Sequence, residues 1–183
     1  GRGCSEPRLH HCTPAWATEK RNKKNKTPQI AIPDEWRLLV ANPDSYTFIS
    51  DEEKIIAIPA EYTTDYKLLD RHLDLLHAGI TVATLKGKDY VPHISLALST
   101  AFDTNKVVHY EASLDTALAY LRRESLFLPT DLPRGYILVT YEGFPLGWVK
   151  HLGNRTNNLY PQEWRIRSGY TPDIPFELNI APK

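Results

Sequence analysis

The chain has no methionine, the starting residue included, and it is expected to be a fragment or a processed form. It has only two cysteines in 183 residues, Cys4 and Cys12. A pair so close together and so early builds no disulfide framework and fits a reducing cytoplasm. Cys4, His10, His11 and Cys12 do not follow a zinc-ligand spacing, and no second Cys/His pair follows, so no metal site is assigned. No apolar run approaches the ~18–20 residues that span a membrane, and the N-terminus lacks the apolar centre of a secretory signal. The chain holds no G-x-S-x-G elbow, no H-E-x-x-H pair and no Walker loop. His93, His109 and His151 show no spacing to a carboxylate that would support a hydrolase or a transferase. By its own residues the chain is expected not to be an enzyme.

Excess charge is also missing, because 22 Lys and Arg balance 22 Asp and Glu. The balance is uneven along the chain. Residues 1–26 carry seven basic against two acidic groups, residues 27–133 nine against sixteen, and residues 134–170 five against two. A locally basic segment beside an acidic one can present a one-sided positive face to an anionic partner. The 42% hydrophobic content suits one ordinary domain or two small ones.

Residues 1–30 show no periodicity and include the run Lys20-Arg21-Asn22-Lys23-Lys24-Asn25-Lys26, which predicts a disordered basic linker. Residues 31–102 predict a small α+β subdomain. Asp34 is placed to cap a helix through Val40, stopped by Asn42-Pro43. Tyr46 to Ile49 and Lys54 to Ile58 predict a hairpin. Leu68, Leu69, Leu73 and Leu76 fall at helical spacing with Gly79 as the stop, and a strand from Ile80 to Thr84 follows. In residues 103–183, Lys106 to Glu111 reads as a strand. Ser113 caps a helix whose apolar face is Leu114, Ala117, Leu118 and Leu121. Arg122-Arg123 are expected in its last turn, favourable to the helix dipole. The three prolines of the tail from Thr171 predict a surface segment.

The densest chemistry lies in residues 135–170. Tyr136 to Tyr141 and Leu146 to Val149 predict a hairpin around Glu142-Gly143, apolar on both faces and therefore interior to a small sheet or barrel. The polar run Gly153-Asn154-Arg155-Thr156-Asn157-Asn158 comes next, then Tyr160, Pro161, Trp164, Arg165 and Arg167. Arginine and lysine take phosphates, asparagine contacts sugars or base edges, and aromatic faces stack on bases. The plain alternative is that the asparagines close a turn and the aromatics fill a core.

The segment Pro145-Leu146-Gly147-Trp148-Val149-Lys150, with Gly153-Asn154-Arg155, Asn157-Asn158, Tyr160-Pro161 and Trp164-Arg165-Ile166, resembles the C-terminal PUA-like signature of bacterial small-subunit rRNA cytosine-5 methyltransferases, the Sun-type RNA methylases. Weaker likeness extends the resemblance over roughly residues 34–170. It implies an α+β chain of two small subdomains, the second a PUA-like mixed sheet or partly open β-barrel with a flanking helix. It implies a module that positions structured small-subunit rRNA for a cytoplasmic catalytic domain outside this chain. That domain would use S-adenosylmethionine and a cysteine nucleophile, whereas neither Cys4 nor Cys12 has the family's Pro-Cys context and no Gly-rich cofactor loop is found. No cofactor is expected in this chain.

On that resemblance Lys150 and Arg155 meet phosphates, with Arg165 and Arg167 as secondary contacts. Asn154, Asn157 and Asn158 contact sugars or bases or shape the loop, and Tyr160 and Trp148 are stacking candidates, although a tryptophan on a strand is more often core. The competing expectation is a protein-interaction module that docks the catalytic domain or another partner.

Overall fold

The structure, a computed structural model, describes residues 32–51 and 53–170. The expected linker of residues 1–30, the early Cys/His group and the tail from Thr171 lie outside the described residues.

Helix α1 (Asp34–Leu38) opens the described fold. Pro33, not Asp34, holds the N-cap position, and Asp34 and Glu35 lie in the first turn, where carboxylates favour the positive helix end. The helix stops short of Val40, which instead makes an isolated antiparallel bridge to Phe102. Strands β1 (Tyr46–Asp51), β2 (Lys54–Pro59), β3 (Ile80–Lys86) and β4 (Asp89–Pro92) form an antiparallel sheet in sequence order. Ile55, Ile56, Ala57 and Ile58 of β2 are all buried, the mark of a strand covered on both faces.

Helix α2 (Thr63–His72) is shorter than the leucine spacing suggested. Leu73 is already extended (φ −128°, ψ 153°), and Leu68, Leu69, Leu73 and Leu76 are exposed. The chain must return to β3 through Gly79, seven residues beyond the helix end. There a Cβ would lie 2.4 Å from the Ala57 carbonyl oxygen. The leucine pattern reflects local spacing and not a buried face.

A short helix, α3 (Ile94–Ala97), follows, then β5 (His109–Glu111), α4 (Leu114–Leu121), β6 (Gly135–Tyr141), β7 (Phe144–His151) and β8 (Thr156–Asn158). Ser113 caps α4 as expected, its side chain accepting from the Thr116 amide. The second sheet has the order β5-β6-β7-β8. β5 runs parallel to β6 across α4, and the other pairs are antiparallel. The fold is therefore mixed α+β, two four-stranded sheets with a few helices, and the second sheet is not a closed barrel. Glu142 and Gly143 both take positive φ (51° and 78°) at the β6–β7 turn, the geometry that matches strand twist in tight hairpins.

Alternation along β6 and β7 gives the second sheet two apolar faces. Ile137, Val139 and Val149 pack with Ala117 and Tyr120 of α4 and with Leu126 and Leu128. Leu138 and Trp148 join Trp36, Ile55, Val82, Leu96 and Phe102 in a core shared with the first sheet. The Trp148 indole Nε1 donates to the His93 carbonyl at 3.1 Å. The Tyr120 hydroxyl donates to the Trp148 carbonyl at 3.3 Å, and burial, with Tyr160 nearby, pushes its phenol far above the ordinary value. It remains a donor at any working pH.

His93 ties these parts together. Its Nδ1 accepts from the Ser95 amide at 3.1 Å and caps α3, and its own amide donates to Val82. Burial first, then Lys54, His77 and Lys86, hold its imidazole below the ordinary value. A depressed histidine contributes stability that is fully present above its unfolded pKa, about 6.5, and is lost as pH falls through the lower folded pKa. Protonation at Nδ1 would also remove the cap acceptor. The urea midpoint is expected to fall between about pH 7.5 and about pH 5.5, and His93→Asn, which caps without titrating, should flatten that fall. An unchanged profile in the variant would assign the decline to other groups.

Candidate nucleic-acid interface

β8 is the outer strand of the second sheet, and its register decides which loop residues meet. Tyr136, Lys150 and Asn157 are cross-strand partners in one row, and Ile137, Val149 and Asn158 form the next. Alternation therefore separates Asn157 from Asn158. Asn157 is exposed. Asn158 turns inward: its Nδ2 donates to the carbonyls of Tyr120 (2.9 Å) and Glu124 (3.1 Å), and its Oδ1 accepts from the Tyr160 amide (2.9 Å). Of the two roles open to Asn158 in the sequence, the geometry gives it loop shaping.

Trp148 is 2% exposed and belongs to the shared core. The expectation that it offers a stacking face is corrected: its ring packs on Phe102 at 5.5 Å between centroids, and its N–H is spent on His93. Tyr160 is half-buried, edge-on to Tyr120 (5.3 Å) and to Trp164 (6.4 Å). Of the two aromatics flanking Pro161, Trp164, 52% exposed, keeps the more free surface; the sequence reading placed it in the aromatic run beside Tyr160 without singling it out as a contact. Asn154, Arg155, Arg165 and Arg167 are exposed, with the turn before β8 closed by the Leu152 amide on the Arg155 carbonyl (2.9 Å). The Lys150 ammonium lies 5.3 Å from the Tyr136 ring centroid, a cation–π contact.

A depression of about 300 Å³ gathers Asn157, Asn158 and Arg165 with Arg123, Ser125 and Gln162. Arg123 was expected in the last turn of α4. The helix ends at Leu121, and Arg123 takes a positive φ of 65°, which carries it off the axis. Its Nη1 donates to the Gln162 side-chain oxygen at 2.5 Å, and it lines the depression. Arg122 also lies beyond the helix and donates to the carbonyls of Ser168 and Tyr170, which holds the following segment against α4. Arg155 and Arg167 are not among the groups lining the depression. The result is a shallow groove with two guanidinium groups and an exposed carboxamide, suited to a flexible, polar, anionic chain. Glu124 lines it as well, so its field is not purely positive.

The three histidines considered for catalysis hold separate places. His93 caps α3, His109 is exposed on β5, and His151 is buried with Nδ1 3.3 Å from the Thr156 hydroxyl. Among the described residues no group of three or more His, Cys, Asp or Glu side chains could hold a metal ion, and no helix is long and apolar enough to cross a membrane. The turn from β5 to α4 is Ala112-Ser113, without a glycine.

Comparison with known proteins bears on the same region. Residues 107–166 match the family described as the methyltransferase RsmF PUA domain. That span contains the groove, Lys150 and the whole second sheet. The chain is 30% identical over 84 residues to the ribosomal RNA small subunit methyltransferase F of Erwinia tasmaniensis. The match covers 46% of this chain and 17% of that relative. Residues 107–166 are accordingly a PUA-like region of the kind carried by an rRNA methyltransferase.

Proposed function

We propose that this chain is an RNA-binding accessory region that holds structured small-subunit rRNA for a cytoplasmic, S-adenosylmethionine-dependent methyltransferase domain. The groove of Arg123, Asn157 and Arg165 on the PUA-like sheet is the observation that carries the reading. Arg123 and Arg165 neutralise phosphates, and Asn157 meets sugar or base edges. Lys150, Arg155 and Arg167 extend the positive surface, Asn154 adds a polar contact, and Trp164, with the exposed part of Tyr160, supplies stacking. This role asks no chemistry of the chain itself, because the methyl donor and the nucleophile belong to the partner domain.

The test is a salt series on the Arg123→Gln/Arg165→Gln double variant with a small-subunit rRNA fragment. Each phosphate contact contributes about 0.7–0.9 to the slope of log K against log salt, so losing two should flatten it by roughly 1.4–1.8 units. An unchanged slope would contradict the assignment.

The second reading is a protein-docking module. It is favoured by Leu68, Leu69, Leu73 and Leu76, exposed together on and just after α2 in the acidic half of the chain. An unchanged slope in the double variant would move the weight to this reading.

A further inference from the structure

The groove does not account for a second cleft among the described residues. A cleft of about 520 Å³ opens between α1, the β3–β4 turn and the second sheet, in the range of small-molecule sites, about 300–1,000 Å³. Its lining includes Trp36, Tyr90, Tyr136, Lys88, Lys150 and Asp89. Two of these side chains carry polar atoms that are buried and have no hydrogen-bond partner among the described residues, the Trp36 indole N–H and the Tyr136 hydroxyl. Trp36 is 7% exposed, so its donor is removed from water without compensation within the fold. Leaving a buried donor unpaired is costly, and each such group calls for an explanation, a bound ligand among them. One cross-strand row reaches from the cleft to the groove: Tyr136 and Lys150 line the cleft, and their partner Asn157 lines the groove.

We infer that this cleft receives a single unstacked base of the RNA strand that lies in the groove. This deepens the RNA-binding reading above and rests on it. Aromatic walls accept a planar base by stacking, as modules that read single-stranded RNA do. The Trp36 N–H and the Tyr136 hydroxyl donate to a ring nitrogen or carbonyl of that base. Glu35 and Asp89 at the rim accept from an exocyclic amine and repel a bare phosphate, while Lys88 and Lys150 hold the adjoining phosphate. Donors and acceptors together select a base that carries both an acceptor and an amine, so cytosine, adenine and guanine are preferred to uracil.

The experiment uses the whole chain with two sets of probes. In the first, cytidine, adenosine and uridine 5′-monophosphates are titrated against tryptophan fluorescence. In the second, a short single-stranded RNA oligomer is compared with one of equal length bearing a single abasic position. Cytidine and adenosine monophosphates are expected to bind at least about fivefold tighter than uridine monophosphate, and the abasic oligomer to bind more weakly than its parent. Tyr136→Phe keeps the ring and the fold, loses the hydroxyl, and should weaken the nucleotides severalfold and narrow the oligomer difference. Trp36→Phe should do the same through the other donor. If the chain binds the oligomer with a salt-dependent affinity but does not distinguish the abasic one, the cleft assignment falls and the groove stands. If the chain binds neither oligomer, both fall.

Discussion

Replacing Trp148 with alanine is expected to destabilise the fold by about 3–5 kcal/mol, the range for deleting a fully buried large aromatic. The residue is 2% exposed, packs on Phe102 and lies in the core shared by both sheets. Its truncation opens a cavity where Ile55, Val82 and Leu96 of one unit meet Leu138 of the other. It also leaves the His93 carbonyl without the indole N–H. A fall in Tm of roughly 10–20 °C is expected in a thermal melt. Trp148→Phe retains a ring and should cost less than half as much. A melt for Trp148→Ala within a few degrees of the parent would mean that the two sheets do not share a core.

Gly147→Ala should have a comparable effect despite adding a single methyl. Gly147 takes a φ of 145°, a region that side chains rarely adopt, beside the register shift of the β6–β7 hairpin. A Cβ there would stand 2.3 Å from the Tyr120 hydroxyl and 2.5 Å from Ile94 Cδ1. One obstacle comes from α4 and the other from α3, so relief toward either side disturbs a packed helix. Backbone strain of roughly 1–3 kcal/mol adds to overpacking of roughly 1–3 kcal/mol, a loss of about 2–6 kcal/mol. The measurement is a urea midpoint. Because Tyr120 donates to the Trp148 carbonyl, a near-additive double variant of Gly147→Ala with Tyr120→Phe would contradict the clash with the phenol.

These two residues also mark what the sequence made legible. The β6–β7 hairpin and its Glu142-Gly143 turn were readable because alternation and turn chemistry are local, as were the β1–β2 hairpin and the Ser113 cap. The apolar character of both hairpin faces pointed to interior strands, and the two core clusters fill them. Helix α2 was misjudged in length because leucine spacing reports a possible face and not what covers it. Asp34 was one position too late to cap its helix, because Pro33 already supplied the extended residue.

The candidate interface was legible as a region more than as a set of contacts. Local composition singled out the polar loop, but the alternation of Asn157 and Asn158 depends on the β7–β8 register, which links residues across the sheet. Arg123 enters the groove through a positive φ that no neighbouring residue announced. Trp36, Tyr90 and Tyr136 lie far apart in the chain and meet because the two sheets bring α1 and β4 against β6. Spacing rules carry no signal for such a cleft.

The most direct test of the central claim is the affinity of the unmodified chain for a small-subunit rRNA fragment from about 50 to about 200 mM salt. Two guanidinium contacts in the groove and one phosphate held by Lys88 and Lys150 at the cleft predict a linear fall of log K against log salt, with a slope of about −2 to −3. No measurable binding at the lowest salt, or binding that ignores salt, would contradict an RNA-binding role for this face.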